Sequence, residues 1–470
     1  MIERLRASAL VEAAAAALPG EEAWVVGGAV RDAALGKDVL DLDLVLAGDP
    51  AVAARALAGP LGGHAFELSS EFSTWRVVIR ASGWQIDLTP LREGSIEADL
   101  AARDFTIGAV AVPLGGGEAR DPYDGLGDLE RRLLRAVGER SFAEEPLRLL
   151  RAPRLAAGLG LDLDPDTAEL ARDAAPHAGE PAGERQLAEL RQLLAGPDPL
   201  RGLRLMDELG VTAVVLPEVA GLRGVGQGPN HHLDVHDHTL AVLEHTLEIE
   251  ADLERFAGER APEVAALLAE PLADEIDRGT ALRFGALFHD IAKPLTRRER
   301  DGFVGFRGHD RLGAELIEEI FASRLRASRL LTRHLQALTL HHLRLGFLIP
   351  ERPLPPRRVH DYLRETEPVS VDVTLLTVAD RLSARGAGPL ASSEMVSAHL
   401  DLAREMIAAA LDWRRDGPPA PLLRGDEIAA ALDLEPGPAL GEALAELEAA
   451  QYAGEVTDRD SALAHLASLG

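Results

Sequence analysis

Asp41 and Asp43 stand on either side of one leucine in VLDLDLVL, a few residues after Gly27-Gly28. Side chains alternate along a strand, so the two carboxylates share a face while Leu42 points into the core. Bare like charges repel there, and removing them from water costs more still. A divalent cation relieves that repulsion, and oxygen ligands suit magnesium. Asp87 lies on the polar phase of a later alternating run, where a neighbouring strand would bring it to the pair. Three carboxylates around one or two cations serve in-line phosphoryl or nucleotidyl transfer. Gly27-Gly28 would let the backbone approach phosphate oxygens closely. D-x-D alone is a weak signal, since an exposed polar strand face can carry it; the upstream GG-x-x-RD sharpens it.

A second set of residues lies in NHHLDVHDHTLAVLEH, ALRFGALFHDIAKP, GFRGHDRLGAE, TLHHLRL and VDVTLLTVADRLSARG. His238 opens an apolar-periodic helix, His289-Asp290 ends another, and Asp380 lies within a third. Adjacent His289 and Asp290 are not expected to face the core together, so Asp290 needs a partner. Imidazole and carboxylate ligands converging from several helices suit a divalent transition metal or magnesium. His309 and His342 could enlarge that site, whereas His231, His232 and His236 read as ordinary helix-end or surface histidines.

The elements that must position these groups follow from periodicity. EEAWVVGG is a short strand, AVRDAALG a helical turn, and DPAVAARALAGPLGG a helix stopped by Gly62 and Gly63. STWRVVIRASGWQIDLTPL predicts two strands around a Ser82-Gly83 turn. After Glu139 the pattern is mostly helical to the end, broken near AGEPAGE, PEVAGLRGVGQGPNHH, ERPLPPRR and RRDGPPAP.

Composition narrows the function. The 470 residues include no cysteine, which excludes disulfides, thiolate catalysis and cysteine zinc sites. The start reads as an alanine-rich helix rather than a signal peptide, and no window is apolar for a full membrane span, so a soluble cytoplasmic protein is expected. A net charge of -28 and a pI near 4.9 argue against a general nucleic-acid coat but allow a local basic cleft. Arginine carries nearly all the positive charge; the only lysines are Lys37 and Lys293.

GGAVRDAALGKDVLDLDLVL resembles the active-site signature of the class II tRNA nucleotidyltransferase and poly(A) polymerase family. The resemblance continues in order through IDLTPLREGSIEADLAARDFTIGAVAV, DPYDGLGDLERRLLR and SFAEEPLRLLRAPRLAAGLGLDLD, and reaches the C-terminal PLLRGDEIAAALDLEPGPALGEALAELEAAQYAGEVTDRDSAL. It implies that Asp41 and Asp43 hold catalytic Mg2+ with support from Asp87. Gly27, Gly28 and Arg31 would lie at the triphosphate, with Asp32 bracing the turn, and Arg103 and Asp104 would face phosphates and ribose. Glu145 and Arg148 match the family's pair that reads the Watson-Crick edge of CTP or ATP, with Arg151 and Arg154 further along the nucleotide-binding helix. The histidine segments resemble an HD domain, a helical metal-dependent phosphohydrolase fold. That implies His238, His289, Asp290 and Asp380 as ligands for Mg2+, Mn2+, Ni2+ or Co2+, and phosphatase or 2',3'-cyclic phosphodiesterase activity.

The expected architecture is α+β, a mixed-sheet nucleotidyltransferase head followed by a largely helical body that includes the HD domain. Its expected boundaries are 1–137 for the head, 138–225 for nucleotide selection and RNA binding, 226–390 for the HD domain and 391–470 for a helical tail. The chain departs from the family pattern at Ala102, Gly108 and Glu145, usually arginine, asparagine and aspartate. The expected reaction is CMP and AMP addition to tRNA 3' ends, with tRNA, CTP and ATP as partners, no membrane, no obligate protein partner, and a homo-oligomer left open. Alternatives are a poly(A) polymerase, a CC- or A-adding enzyme, and an HD phosphohydrolase whose first domain only binds RNA. Arg131, Arg132, Arg135, Arg148, Arg151 and Arg154 are the expected basic patch for an acceptor stem read by shape and phosphate, against the plainer reading of pairing with nearby acids.

Overall fold

The computed structural model describes residues 2–70, 72–301, 303–388 and 391–468. The expected boundary between 390 and 391 falls on Leu390, outside the described residues, as do the ends at 1 and 470. The chain divides into two compact units, Met1–Val215 and Leu216–Gly470.

Six strands of the first unit form one mixed sheet: β1 (Ala23–Val26), β2 (Asp41–Leu46), β3 (His64–Ser69), β4 (Thr74–Ile79), β5 (Trp84–Pro90) and β6 (Ala111–Pro113). Their order is β3-β4-β5-β2-β1-β6. β2 and β5 run parallel, and the other neighbours are antiparallel. The alternation read from sequence is borne out: Leu42, Leu44, Ile86 and Leu88 are buried, while Asp41 and Asp43 are exposed. Val25 joins a core with Leu42 and Leu57, and Val26 a separate core with Val45 and Leu100, so apolar layers cover both faces of β1. Helix Gly28–Ala34 follows β1 directly, and helix Pro50–Leu61 is capped by Asp49 and stopped by left-handed Gly62. The alanine-rich start is two helices, Ile2–Arg6 and Ala9–Ala17, broken before Ser8. Helices Arg148–Leu159, Gly183–Ala195 and Pro199–Glu208 complete this unit's outline.

The second unit is built on helices Val235–Ala251, Arg278–Phe288, His309–Ile317, Arg329–His341, Ser370–Ser383 and Ser393–Asp416. Arg278 and Asp372, both buried, form an ion pair between two of them. A small hairpin, Arg298–Arg300 and Phe303–Gly305, interrupts the helices. Leu423, Ile428, Leu447 and Leu466 belong to a separate small C-terminal core. Among the described residues no helix is long and apolar enough to cross a membrane.

Candidate functional site

The parallel register of β2 and β5 sets Asp43 opposite Asp87. Asp43 keeps an edge open to water, yet protein crowds it on most sides. That desolvation raises its carboxyl above the ordinary range; Arg103 opposes the shift, and the charges of Asp87 and Asp41 add to it. The Gly28 N–H donates to Asp43. Gly27 has φ +67°, and a Cβ there would stand 3.1 Å from Asp43 Oδ2 and 3.2 Å from Arg103 Nη1. The glycine is therefore required twice, by its backbone and by the closeness of the two charged groups.

Sequence reasoning missed the partner that holds Asp87. Arg76 on β4 donates to both its oxygens, Nε to Oδ1 at 2.7 Å and Nη2 to Oδ2 at 2.7 Å. Asp87 is thus neutralised and fixed, while Arg103 offsets the charge of Asp41 and Asp43 only in part, so the carboxylate set fits a divalent cation at that pair with Asp87 in support. Arg103 is held by Asp99 at 2.8 Å, one helical turn earlier. Arg31 pairs with Asp32 at 2.9 Å beside the glycine turn.

Asp104 faces inward. Burial pushes its carboxyl up, but Arg151 and the Phe105 N–H outweigh that and hold it below the usual range. Arg151 Nη2 lies 2.7 Å from Asp104, and Arg154 Nε 2.5 Å from Glu189, a buried carboxylate on helix Gly183–Ala195 that no motif singled out. Arg148 donates to the Ala102 carbonyl at 2.6 Å and to Ser141 Oγ at 2.9 Å, while Glu145 meets Arg185 at 3.3 Å. Arg131 pairs with Asp124 and Asp128, and Arg135 with Asp128. Five of the six arginines expected as an RNA patch therefore have protein partners, four of them acids on the same unit and, for Arg148, a carbonyl and a hydroxyl.

In the second unit Asp290 is the centre. His238 Nε2 approaches Asp290 Oδ2 at 3.6 Å and Asp380 Oδ1 at 3.0 Å; His289 Nε2 approaches Asp290 Oδ2 at 3.1 Å. On the other oxygen, His309 Nε2 stands at 3.2 Å and His342 Nε2 at 3.7 Å. These groups fall into two ligand sets that share Asp290: His238 with His289, and His309 with His342. His289 and Asp290 are both buried, contrary to the helical expectation; the helix ends at Phe288, with His289 as its C-terminal cap.

The second unit's cluster fits a metal on two grounds. Nδ1 of His289, His309 and His342 donates to the carbonyls of Ala286, Phe306 and Thr339, which leaves each Nε2 lone pair facing the cluster. Yet His238 Nε2, His289 Nε2 and both Asp290 oxygens have no well-aimed hydrogen bond among the described residues. Buried ligand atoms that converge without satisfying one another need a cation between them. Burial lowers His289, but the Asp290 carboxylate overcomes that and raises it, whereas burial and neighbouring His289 and His309 lower His342 to about 3. Lys293 Nζ lies 2.5 Å from Asp290 and donates to Gln227 at 2.7 Å. His231, read as ordinary from sequence, packs edge-on against His238 with ring centres 4.7 Å apart. His236 is buried in the helix's first turn, and His232 stays exposed.

Comparison with known proteins agrees with both centres. Residues 23–135 match the Poly A polymerase head domain, 160–222 the probable RNA and SrmB-binding site of polymerase A, and 235–385 the HD domain. The chain is 39% identical over 441 residues to an A-adding tRNA nucleotidyltransferase of Deinococcus radiodurans, covering 92% of each chain. It is 36% identical over 463 residues to a CC-adding tRNA nucleotidyltransferase of Thermus thermophilus, covering 95% of this chain and 93% of that one. In fold it is similar to a CCA-adding enzyme in complex with ATP, with a TM-score of 0.64 at 22% identity over 100% of this chain and 95% of that one.

Gly27→Ala is expected to lower nucleotide incorporation by about 100-fold through displacement of Asp43 or Arg103, with the fold retained by circular dichroism; near-normal turnover would contradict the close approach. In an Asp41→Asn/Asp43→Asn background, Mn2+ should bind the histidine cluster more weakly as pH falls, because the raised His289 must lose its proton to become a ligand. Calorimetric titration at pH 8 and pH 6 measures this, and equal affinities would contradict it.

Proposed function

The chain belongs to the class II tRNA nucleotidyltransferase and poly(A) polymerase family with a C-terminal HD domain, and from that premise we propose that it adds nucleotides from CTP or ATP, without a template, to the 3' end of tRNA. The observation that carries this reading is the register of Asp43 with Asp87 beneath the Gly27-Gly28 turn. In the reaction the tRNA 3'-hydroxyl attacks the α-phosphorus, a new P–O bond forms, the α–β bond breaks, pyrophosphate leaves and the hydroxyl proton is released. Asp41 and Asp43 would hold Mg2+, which when bound neutralises triphosphate charge and acidifies the attacking hydroxyl. Arg103 supplies fixed positive charge beside Asp43, and Arg31 stands next to the glycine turn. Glu145 and Arg148 would read the base, with Asp104, Arg151, Glu189 and Arg154 bracing the helix on which Arg148 sits. Such discrimination is worth about 1–3 kcal/mol per bidentate contact.

A restricted step of CCA completion is favoured over the whole sequence. Three relatives that align nearly end to end are single-step enzymes, one A-adding and two CC-adding. A Multifunctional CCA protein of Pseudomonas fluorescens aligns with 63% of this chain. The departures at Ala102 and Glu145 lie where Arg148 and Arg185 make their contacts, which accords with altered selection. The HD cluster supports a second activity, hydrolysis of phosphate esters including a 2',3'-cyclic phosphate, with Mg2+, Mn2+, Ni2+ or Co2+ held by His238, His289, Asp290 and Asp380 and extended by His309 and His342. Water would add to phosphorus as one P–O bond to ribose breaks, and the departing oxygen would take a proton. A protein that acts on tRNA ends in this way would work in the cytoplasm.

The deciding experiment supplies labelled CTP or ATP with tRNA ending before the first C, after CC, or complete. Asp41→Ala and Asp43→Ala should abolish incorporation on every end, and wild type should extend only one of the two incomplete ends. His289→Ala should retain that extension while losing hydrolysis of a 2',3'-cyclic phosphate. Incorporation by a folded Asp43→Ala protein would overturn the transferase assignment, and complete CCA synthesis by wild type would overturn the single-step specificity.

A further inference from the structure

The segment between the ligand pair His289-Asp290 and the ligand His309 is locally basic within an acidic chain. From Lys293 to Arg311 it carries six cationic residues against three acidic ones, in a protein of net charge -28. Lys293 is committed to Asp290, and Arg297 donates to Glu299 and to the Gly226 carbonyl. The hairpin and the turn after it present Arg298, Arg300 and Arg307 to solvent. Arg298 donates only to a neighbouring backbone carbonyl, Arg300 lies 3.6 Å from an equally exposed Asp301, and Arg307 has no ion pair among the described residues. Phe303, at the start of the second strand, is 76% exposed.

The base of the hairpin is fixed to the metal cluster. The Phe306 carbonyl accepts the Nδ1 proton of His309 at 2.7 Å, and the Lys293 ammonium lies 5.3 Å from the centre of the Phe306 ring. On the other side, Val304 runs close against Gly228, in the loop that carries Gln227 and His231 to the cluster. Three solvent-exposed guanidiniums, only Arg300 with an acidic neighbour, and an exposed aromatic ring are therefore held beside the buried histidine cluster. Guanidiniums suit consecutive phosphates, and an exposed ring suits stacking on an unpaired base. A free mononucleotide has one phosphate group and no upstream backbone for these guanidiniums to hold.

We propose that this hairpin is the polynucleotide-binding element of the HD site, so that the site acts on a phosphate ester at the 3' end of a single-stranded RNA in preference to the same ester on a free nucleotide. The inference rests on the phosphohydrolase reading above and adds its substrate class. Arg298, Arg300 and Arg307 would hold the phosphodiester backbone upstream of the terminal phosphate, and Phe303 a base beside it.

The test compares wild type with Arg298→Ala/Arg300→Ala/Arg307→Ala on two probes: a single-stranded RNA ending in a 2',3'-cyclic phosphate with 4-thiouridine next to that end, and 2',3'-cyclic AMP. The variant should lose about tenfold or more in kcat/KM on the RNA through KM, and the salt dependence of RNA turnover should flatten by about two in log–log slope. Hydrolysis of 2',3'-cyclic AMP should stay within about twofold of wild type. Ultraviolet crosslinks from the RNA to wild type should map within residues 297–311 and vanish in the variant. Equal losses on both probes, unchanged RNA hydrolysis, or crosslinks that avoid the hairpin would each overturn the proposal. Should wild type hydrolyse neither probe, the phosphohydrolase reading fails, and the crosslink map alone decides whether the hairpin binds RNA.

Discussion

The parallel pairing of β2 with β5 is the constraint to which the rest of the first unit answers. It brings Asp43 level with Asp87 and leaves Asp41 on the same face, so like charges accumulate at one end of the sheet. Arg76 takes up the Asp87 carboxylate with both arms of its guanidinium. Arg103, anchored by Asp99, lends charge to Asp43, and Gly27 yields the space a side chain would fill. Even with these, Asp43 keeps a raised proton affinity. The protein alone does not neutralise the cluster, and that remainder is what a divalent cation and a triphosphate would together complete.

The second unit meets the same electrostatic problem deeper in the protein and with other ligands. Asp290 is fully buried, and four imidazoles and one ammonium surround it. Backbone carbonyls fix three of those rings through Nδ1, so their orientation belongs to the fold rather than to any ion. The overall acidity of the chain makes local positive charge informative. In the first unit most of the arginines near the motifs are spent on internal acids, whereas the hairpin beside the HD cluster leaves three in water.

Much of this was legible in the sequence because it depends on period and motif. Alternation alone set Asp41 and Asp43 on one face, and the helical periods set His238, His289-Asp290 and Asp380 on three helices. Arg76 could have been found as well: closing the β4–β5 hairpin on Ile79 and Trp84 forces Arg76 opposite Asp87. Glu189 and Arg185 were not legible, since each meets its partner across roughly forty positions of chain and no local pattern records a contact between helices. The internal partners of the expected arginine patch were hidden for a related reason. Charge along a sequence shows where cations lie, but not whether Asp104, Asp128 or Glu189 folds back onto them. The burial of both His289 and Asp290 falls at the end of a helix, a boundary that periodicity places only loosely.

The central claim is that the carboxylates of β2 are held in mutual repulsion for a cation to relieve. Thermal unfolding of wild type and Asp43→Asn, each with and without Mg2+, tests it directly, because the HD cluster is the same in both proteins. A carboxyl whose proton affinity is raised by folding destabilises the native state when ionised at neutral pH, so removing its charge should raise the metal-free midpoint. Mg2+ should then stabilise wild type more than the variant. A lower metal-free midpoint for Asp43→Asn, together with an equal response to Mg2+, would contradict the account.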